Sequence, residues 1–251
     1  MPALAAALLM SLIVGLRYLM VSGMFAALTR STGRARAIPA GQVRAEIKWS
    51  LLSSLIYGVP AGVTYWAWNR HGLTQLYIDP RAQPLWLLAA SPILYLFVHD
   101  TWFYWTHRLM HRPWWFRVAH AVHHRSRPPT AWAAMSFHPW EALSGALLFP
   151  ALAWVVPIHV GMLGLVLLVA SLFGTTNHMG WEMLPARIVR GPVGAALISA
   201  AHHELHHRNY CANYGLYFRF WDRVCGTDRG IAEDMLRGRR TQSFAQSSSR
   251  A

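Results

Sequence analysis

Polar and apolar positions along this chain alternate in long blocks rather than in short periods. Apolar residues run from Ala3 to Leu28, from Ile47 to Asn69, and from Pro84 to Val98, where an aromatic stretch of Trp102, Phe103, Tyr104 and Trp105 takes over. A helix needs ~20 residues to cross a hydrocarbon core of ~30 Å, so each block predicts a membrane-spanning helix. The first block continues past Arg17 and outlasts the apolar core of a secretory signal. Met1 and Pro2 offer no basic leader, so an uncleaved membrane helix is expected.

A fourth block, Ala142–Phe173, is interrupted by Pro150, Pro157, Gly161 and Gly164. As one straight helix it would rise about 48 Å, more than a crossing requires, and internal proline breaks or kinks a helix. A hairpin of two shorter helices fits better. It also returns the chain to the side it left, so the histidine groups flanking the block can meet. The basic loop with Arg30, Arg34, Arg36, Arg44 and Lys48 marks the cytoplasmic side. Counting crossings from there, the loop 70–83 lies outside and the histidine-rich segments lie inside. The polar stretch from Thr241 to Ala251 is expected to be disordered.

Composition agrees with a membrane protein. The chain is 54% apolar and only 13% charged, against about 25% charged in soluble domains. Its 13 tryptophans suit membrane interfaces. The net charge of +13 sits in loops beside apolar spans and not along a reading helix, which argues against a nucleic-acid partner. Two cysteines without CxxC spacing, Cys211 and Cys225, give neither a disulfide framework nor a thiolate metal site.

The chemistry lies in the histidines. His107 and His111 are spaced i, i+4; His120, His123 and His124 form an HxxHH set; His203, His206 and His207 repeat it. At these spacings imidazoles share a helix face. Neutral imidazoles at this density leave ring nitrogens in need of partners, and charged ones would repel. Metal ions resolve both difficulties, and eight imidazoles exceed one ion's shell, which suggests two ions. Imidazole suits iron, zinc, copper and nickel alike. The Glu-x-x-His pairs of soluble di-iron bundles are missing. His71 and His159 stand alone and are expected to be ordinary boundary residues.

Two other readings are weighed. His203-Glu204-x-x-His207 overlaps the H-E-x-x-H of zinc hydrolases, which would make the chain an intramembrane metalloprotease. Such a site takes one zinc and three ligands and leaves the first two histidine groups idle. A non-catalytic metal-binding or transport protein would carry polar residues along its spans, and here these are nearly clean.

The ordered motifs resemble the fatty acid hydroxylase / sterol desaturase superfamily, with most likeness to its sterol C5-desaturase branch. They run from His99-Asp-Thr-Trp-Phe-Tyr-Trp-Thr-His107-Arg-Leu-Met-His111 through His120-Ala-Val-His123-His124 and Ser136-Phe137-His138-Pro139-Trp140-Glu141. Asn177-His178, the His203 group, Asn213-Tyr214-Gly215 and Trp221-Asp222 to Gly226-Thr227 complete the series. The resemblance implies an all-α membrane bundle, about three spans plus a hairpin, with a cytosolic helical cap holding a di-iron centre. It carries the metal-ligand role to His107, His111, His120, His123, His124, His178, His203, His206 and His207. His99, His138 and His202 are candidates for ligands, for groups orienting ligands or for substrate-side residues; Asp100, Glu141 and Asp222 are candidates for orienting imidazoles, with a structural salt bridge to arginine the alternative for Glu141 and Asp222. It further implies O2-dependent hydroxylation or desaturation of a lipid, with two iron ions as cofactor and zinc expected on misloading. No dinucleotide or haem motif is present, so a separate reductase, ferredoxin or cytochrome is implied as electron donor. The membrane would be a bacterial inner membrane or the ER. Division into 1–83 (membrane helices), 84–232 (catalytic) and 233–251 (polar tail) is expected.

Overall fold

Small residues decide how the first two helices pair. Helix α1 (Ala3–Ser31) and helix α2 (Gln42–His71) pack along much of their length. Ala7, Ser11 and Gly15 on α1 face Ser54, Gly58 and Gly62 on α2, each set spaced by four. A Cβ added to Gly62 would lie 2.3 Å from the Ala7 Cα, and one added to Gly58 would lie 2.3 Å from the Ser11 Cα. The backbones are therefore in contact, as small residues at this spacing allow.

The computed structural model describes residues 1–236, which are mainly helical. Helix α3 (Leu87–Met110) follows the loop after α2. The short α4 (Pro113–Trp115) leads into a π-helical turn, Phe116–His120, and a 3-10 turn, His123–Arg125. The long apolar block folds as a hairpin. Its first arm is broken at Leu147 into α5 (Pro139–Ala146) and α6 (Leu148–Val155), and α7 (Val160–Asn177) forms the second. Pro157 sits at the turn, where the missing N–H costs nothing. Short helices α8 (Ala186–Val189) and α9 (Pro192–Ala196) precede α10 (Ala200–Asn209), and α11 (Phe220–Val224) comes last.

Two contacts define opposite ends of the bundle. Strands β1 (Leu76–Tyr77) and β2 (Ile158–His159) pair in parallel, Leu76 opposite Ile158, and tie the α2–α3 loop to the hairpin turn. Tyr95 fastens α3 there through a 2.8 Å bond from Oη to the Val156 carbonyl. At the other end Arg36, in the basic loop after α1, donates to Glu204 on α10 at 3.1 Å and to the Gly180 carbonyl at 3.2 Å. The basic loop and the histidine-bearing segments thus share one end.

Among the described residues, α1 and α7 are long and apolar enough to cross a membrane. Helices α2 and α3 reach 30 and 24 residues but include charged positions such as Lys48 and Arg108. Helices α1 and α2 pack directly on the 3-10 turn Ala131–Met135, and α2 also packs on α5. Residues 233–236, grouped by composition with the polar tail, form a 3-10 turn in which Asp234 pairs with Arg208 at 2.8 Å. The stretch expected to be disordered from Thr241 lies outside the described residues.

Candidate metal centre

Nine histidines converge at the Arg36 end of the bundle in two groups. His107, His111, His120, His124 and His206 form the first; His123, His178, His203 and His207 form the second. Each HxxHH set is divided between them. His120 and His124 enter the first group and His123 the second, while His203 and His207 enter the second group and His206 the first. Helical geometry explains the division on α10. Residues i and i+4 lie about 40° apart around the axis, whereas i+3 lies about 60° to the other side of i at ~3.6 residues per turn. In the His120 segment the chain passes from a π turn to a 3-10 turn, and the same two-to-one split results.

Within each group the Nε2 atoms point at one another. His124 Nε2 lies 3.0 Å from His120, 3.2 Å from His206 and 3.3 Å from His111. In the second group the spacings are 3.1 Å for His178–His123, 2.9 Å for His203–His178 and 3.1 Å for His207–His203. At metal–nitrogen distances of about 2.0–2.1 Å, adjacent donors in octahedral or tetrahedral shells stand about 2.8–3.4 Å apart. The observed spacings fall in that range.

Hydrogen bonds from the other ring nitrogen fix four of the tautomers. Nδ1 of His107 donates to the Tyr214 carbonyl at 2.9 Å, His206 to Ala212 at 2.7 Å, and His178 to Gly174 at 2.6 Å. Since a carbonyl can only accept, Nδ1 carries the proton and Nε2 keeps its lone pair. His120 makes the same kind of bond to Glu141 Oε1 at 2.8 Å. Among the described residues His107 Nε2 has no hydrogen-bond partner although it is buried.

Burial holds these rings neutral. It is the largest cause, ahead of neighbouring imidazoles, that keeps His120, His123, His124, His203, His206 and His207 well below the usual histidine range. His178 is lowered to about 4, again by burial. With the proton of four rings held on Nδ1, any Nε2–Nε2 approach of ~3 Å that the other ring's proton does not bridge sets two lone pairs against each other, and unmet buried polar atoms are costly. Two cations answer that need, and all-nitrogen sets of five and four suit first-row transition metals such as iron.

The remaining sequence candidates fall outside both groups, and His99 lines the cavity described below. His99 bonds through Nδ1 to Tyr217 Oη at 2.6 Å. His138 caps α5, its Nδ1 accepting from the Trp140 N–H at 3.4 Å. His202 is consumed by a capping box with Ser199 at the start of α10. Asp100 accepts the backbone N–H groups of Leu216, Tyr217 and Phe218, and Asp222 those of Tyr214 and Gly215 plus the Thr227 hydroxyl. These acids hold backbone and not imidazole, because the loop 213–218 has unpaired N–H groups to satisfy. Only Glu141 meets a clustered histidine. Glu204 of the H-E-x-x-H match turns to Arg36 and Arg208, at 3.1 and 2.8 Å, which does not suit a general base.

Sequence reasoning missed the carbonyls of Gly174, Ala212 and Tyr214, which carry no side-chain signal. It also missed an apolar cavity between α1, α2, α3, α5 and α7. His107, His120, His123 and His178 line it together with Phe103, Phe137, Phe149 and Leu167. Arg17 lines it too, and an arginine inside an apolar span was the signal available.

Comparison with known proteins agrees with the motif reading. The family model described as fatty acid hydroxylase matches residues 92–227. The lathosterol oxidase of Rattus norvegicus is 33% identical over 189 residues, 74% of this chain and 61% of that one. The Delta(7)-sterol 5(6)-desaturase ERG3B of Gibberella zeae is 31% identical over 142 residues, 57% of this chain and 42% of the relative. A C-4 methylsterol oxidase of Schizosaccharomyces pombe is 29% identical over 161 residues, 62% of this chain and 51% of the relative. The chain thus spans 42–61% of the length of these curated relatives. No solved structure matches it.

Proposed function

The chain belongs to the fatty acid hydroxylase family, in a branch like the sterol C5-desaturases, and on that premise we propose that it is a membrane-bound di-iron oxidoreductase that uses O2 to hydroxylate or desaturate a C–H bond of a lipid. The observation that carries the reading is the convergence of two imidazole groups on one side of an apolar cavity. Relatives named as sterol desaturases and oxidases support a lipid substrate.

His107, His111, His120, His124 and His206 would hold one iron and His123, His178, His203 and His207 the other. Bound iron would supply the reduction of O2 and the removal of hydrogen from an unactivated C–H bond. The protein supplies position. The Tyr214, Ala212 and Gly174 carbonyls and Glu141 aim four of the Nε2 atoms, a task on which metal affinity commonly depends. Phe103, Phe137 and Phe149 keep the cavity poor in water and hold an apolar chain against the histidine wall. In hydroxylation one oxygen atom enters the product and the other leaves as water; in desaturation two hydrogens leave the lipid and both oxygens become water. Both need two electrons from a separate donor, a reductase, ferredoxin or cytochrome.

Exposed apolar side chains such as Leu4, Leu8 and Leu12 on α1 and Ile93 on α3 support a lipid-facing surface. The basic loop shares its end with the histidines, which with the positive-inside tendency supports a metal centre on the cytoplasmic face, as a helical cap on the bundle. The test is to incubate iron-loaded enzyme with a chemical reductant, isotopically labelled O2 and a membrane lipid extract, followed by mass spectrometry. A lipid that gains one labelled oxygen, or loses two hydrogens while labelled water forms, is the expected result. No O2-dependent lipid change, with iron bound and reducible, would overturn the reading.

A further inference from the structure

Arg17 stands in the middle of α1, about 21 Å along the helix from Ala3 at ~1.5 Å per residue, with apolar neighbours in sequence on both sides. It lines the cavity that reaches His107, His120, His123 and His178. Among the described residues no carboxylate forms an ion pair with it. Glu141, the one acidic residue among the described residues lining the cavity, gives Oε1 to His120 Nδ1 at 2.8 Å, and its Oε2 makes no ion pair with Arg17. The phenol of Tyr57 lines the same cavity. A guanidinium is always charged and presents a planar fork of donors. Held in apolar surroundings without an ion pair it is costly, and ionisable residues inside spans are therefore functional by default.

We infer that Arg17 receives the carboxylate of an acidic lipid, so that the cavity selects a chain with an anionic end and lays its hydrocarbon against the histidine wall. The oxidation of the bound lipid rests on the lipid-oxidase reading, but the binding itself does not. A carboxylate matches the guanidinium in charge and in bidentate geometry; a lone hydroxyl offers neither. A phospholipid headgroup fits less well, since it belongs at the membrane interface and Arg17 lies mid-helix. Once the acid is anchored, the distance from its carboxylate to the histidines fixes which carbon is presented, making Arg17 a positioning residue as well as a specificity residue.

The experiment measures equilibrium binding to the full-length, iron-loaded protein in phosphatidylcholine nanodiscs at pH 8, without turnover. Palmitate, hexadecanol and lathosterol are compared. Palmitate is expected to bind at least about tenfold more tightly than hexadecanol, as for a charge-assisted pair in a dry site. In Arg17→Gln that preference should vanish through loss of palmitate affinity, with hexadecanol changed less than about twofold; Arg17→Lys, which keeps charge but not the fork, should fall between. Iron content and thermal midpoint are followed in each variant. The wild-type comparison needs no variant, so a misfolded Arg17→Gln protein does not protect the claim. Equal affinity for acid and alcohol, tighter binding of lathosterol, or displacement of palmitate by phosphatidylglycerol would overturn it. Palmitate binding through Arg17 in a protein that never oxidises lipid would instead sink the enzymatic reading and leave this one standing.

Discussion

His120 donates its Nδ1 proton to Glu141 Oε1 across 2.8 Å, linking the π turn after α4 to the first turn of α5. Of the clustered imidazoles it alone is oriented by a carboxylate, and Glu141 is itself almost fully buried. The bond joins the foot of the apolar hairpin to the first histidine group, so hairpin packing and the aim of the His120 ring are coupled.

Removing that acceptor should weaken the first group without dismantling it. Glu141→Ala is expected to lower metal affinity by about 10–100-fold, the usual cost of losing a group that orients a ligand. Glu141→Gln, whose amide oxygen still accepts from Nδ1–H, should retain most of it. Competition with a coloured chelator reads both; equal affinity of Glu141→Ala and wild type would refute the orienting role.

Asp222 acts one step further out. It takes the Tyr214 N–H at 2.9 Å, and the Tyr214 carbonyl takes the His107 proton at 2.9 Å. Asp222→Ala leaves the Tyr214 and Gly215 N–H groups buried and unpaired, at about 1–3 kcal/mol each. The midpoint of thermal unfolding in detergent should fall clearly, and Asp222→Asn, which keeps one acceptor oxygen, should fall less. A midpoint unchanged in Asp222→Ala would show that the loop is held by something else.

Glycines in this fold are not equivalent. Gly62 touches the Ala7 backbone, whereas a Cβ on Gly164 of α7 meets nothing within 4 Å. Gly62→Ala should therefore force α1 and α2 apart and destabilise the protein. Gly164→Ala should be neutral or stabilising by about 0.5–1 kcal/mol, since mid-helix glycine is entropically costly. Thermal unfolding of the pair checks the direction, and similar behaviour of the two variants would contradict the close-packed α1–α2 interface.

Much of this could be read in the sequence because long apolar blocks and clustered histidines both announce themselves. The apolar blocks yielded α1, α2 and α3, and Pro157 with the need for the histidines to meet yielded the hairpin. The spacing of His107, His120 and His203 with their neighbours pointed to a metal centre. What escaped depends on partners rather than on residue types. Helical spacing allows the two-to-one division of each HxxHH set, but which group each part joins depends on where His107 and His178 lie, which local spacing does not contain. Asp100 and Asp222 resemble partners for imidazoles because acids in a histidine-rich chain usually are; the loop 213–218 needed them more. Arg17 is visible in the sequence only as an interruption of an apolar run. Its meaning depends on the cavity beside it, and on Glu141 being already engaged.

The central claim is that nine histidines hold two irons, and metal content tests it most directly. Protein expressed with iron and without a histidine tag, purified in detergent and reconstituted with ferrous iron, is submitted to elemental analysis. About two irons per chain are expected, one for each imidazole group. His206→Ala, in the first group, and His207→Ala, in the second, should each lower the count, while His71→Ala, remote from both, should leave it unchanged. A single ion per chain, insensitive to His123→Ala and lost only with His203 or His207, would contradict the claim.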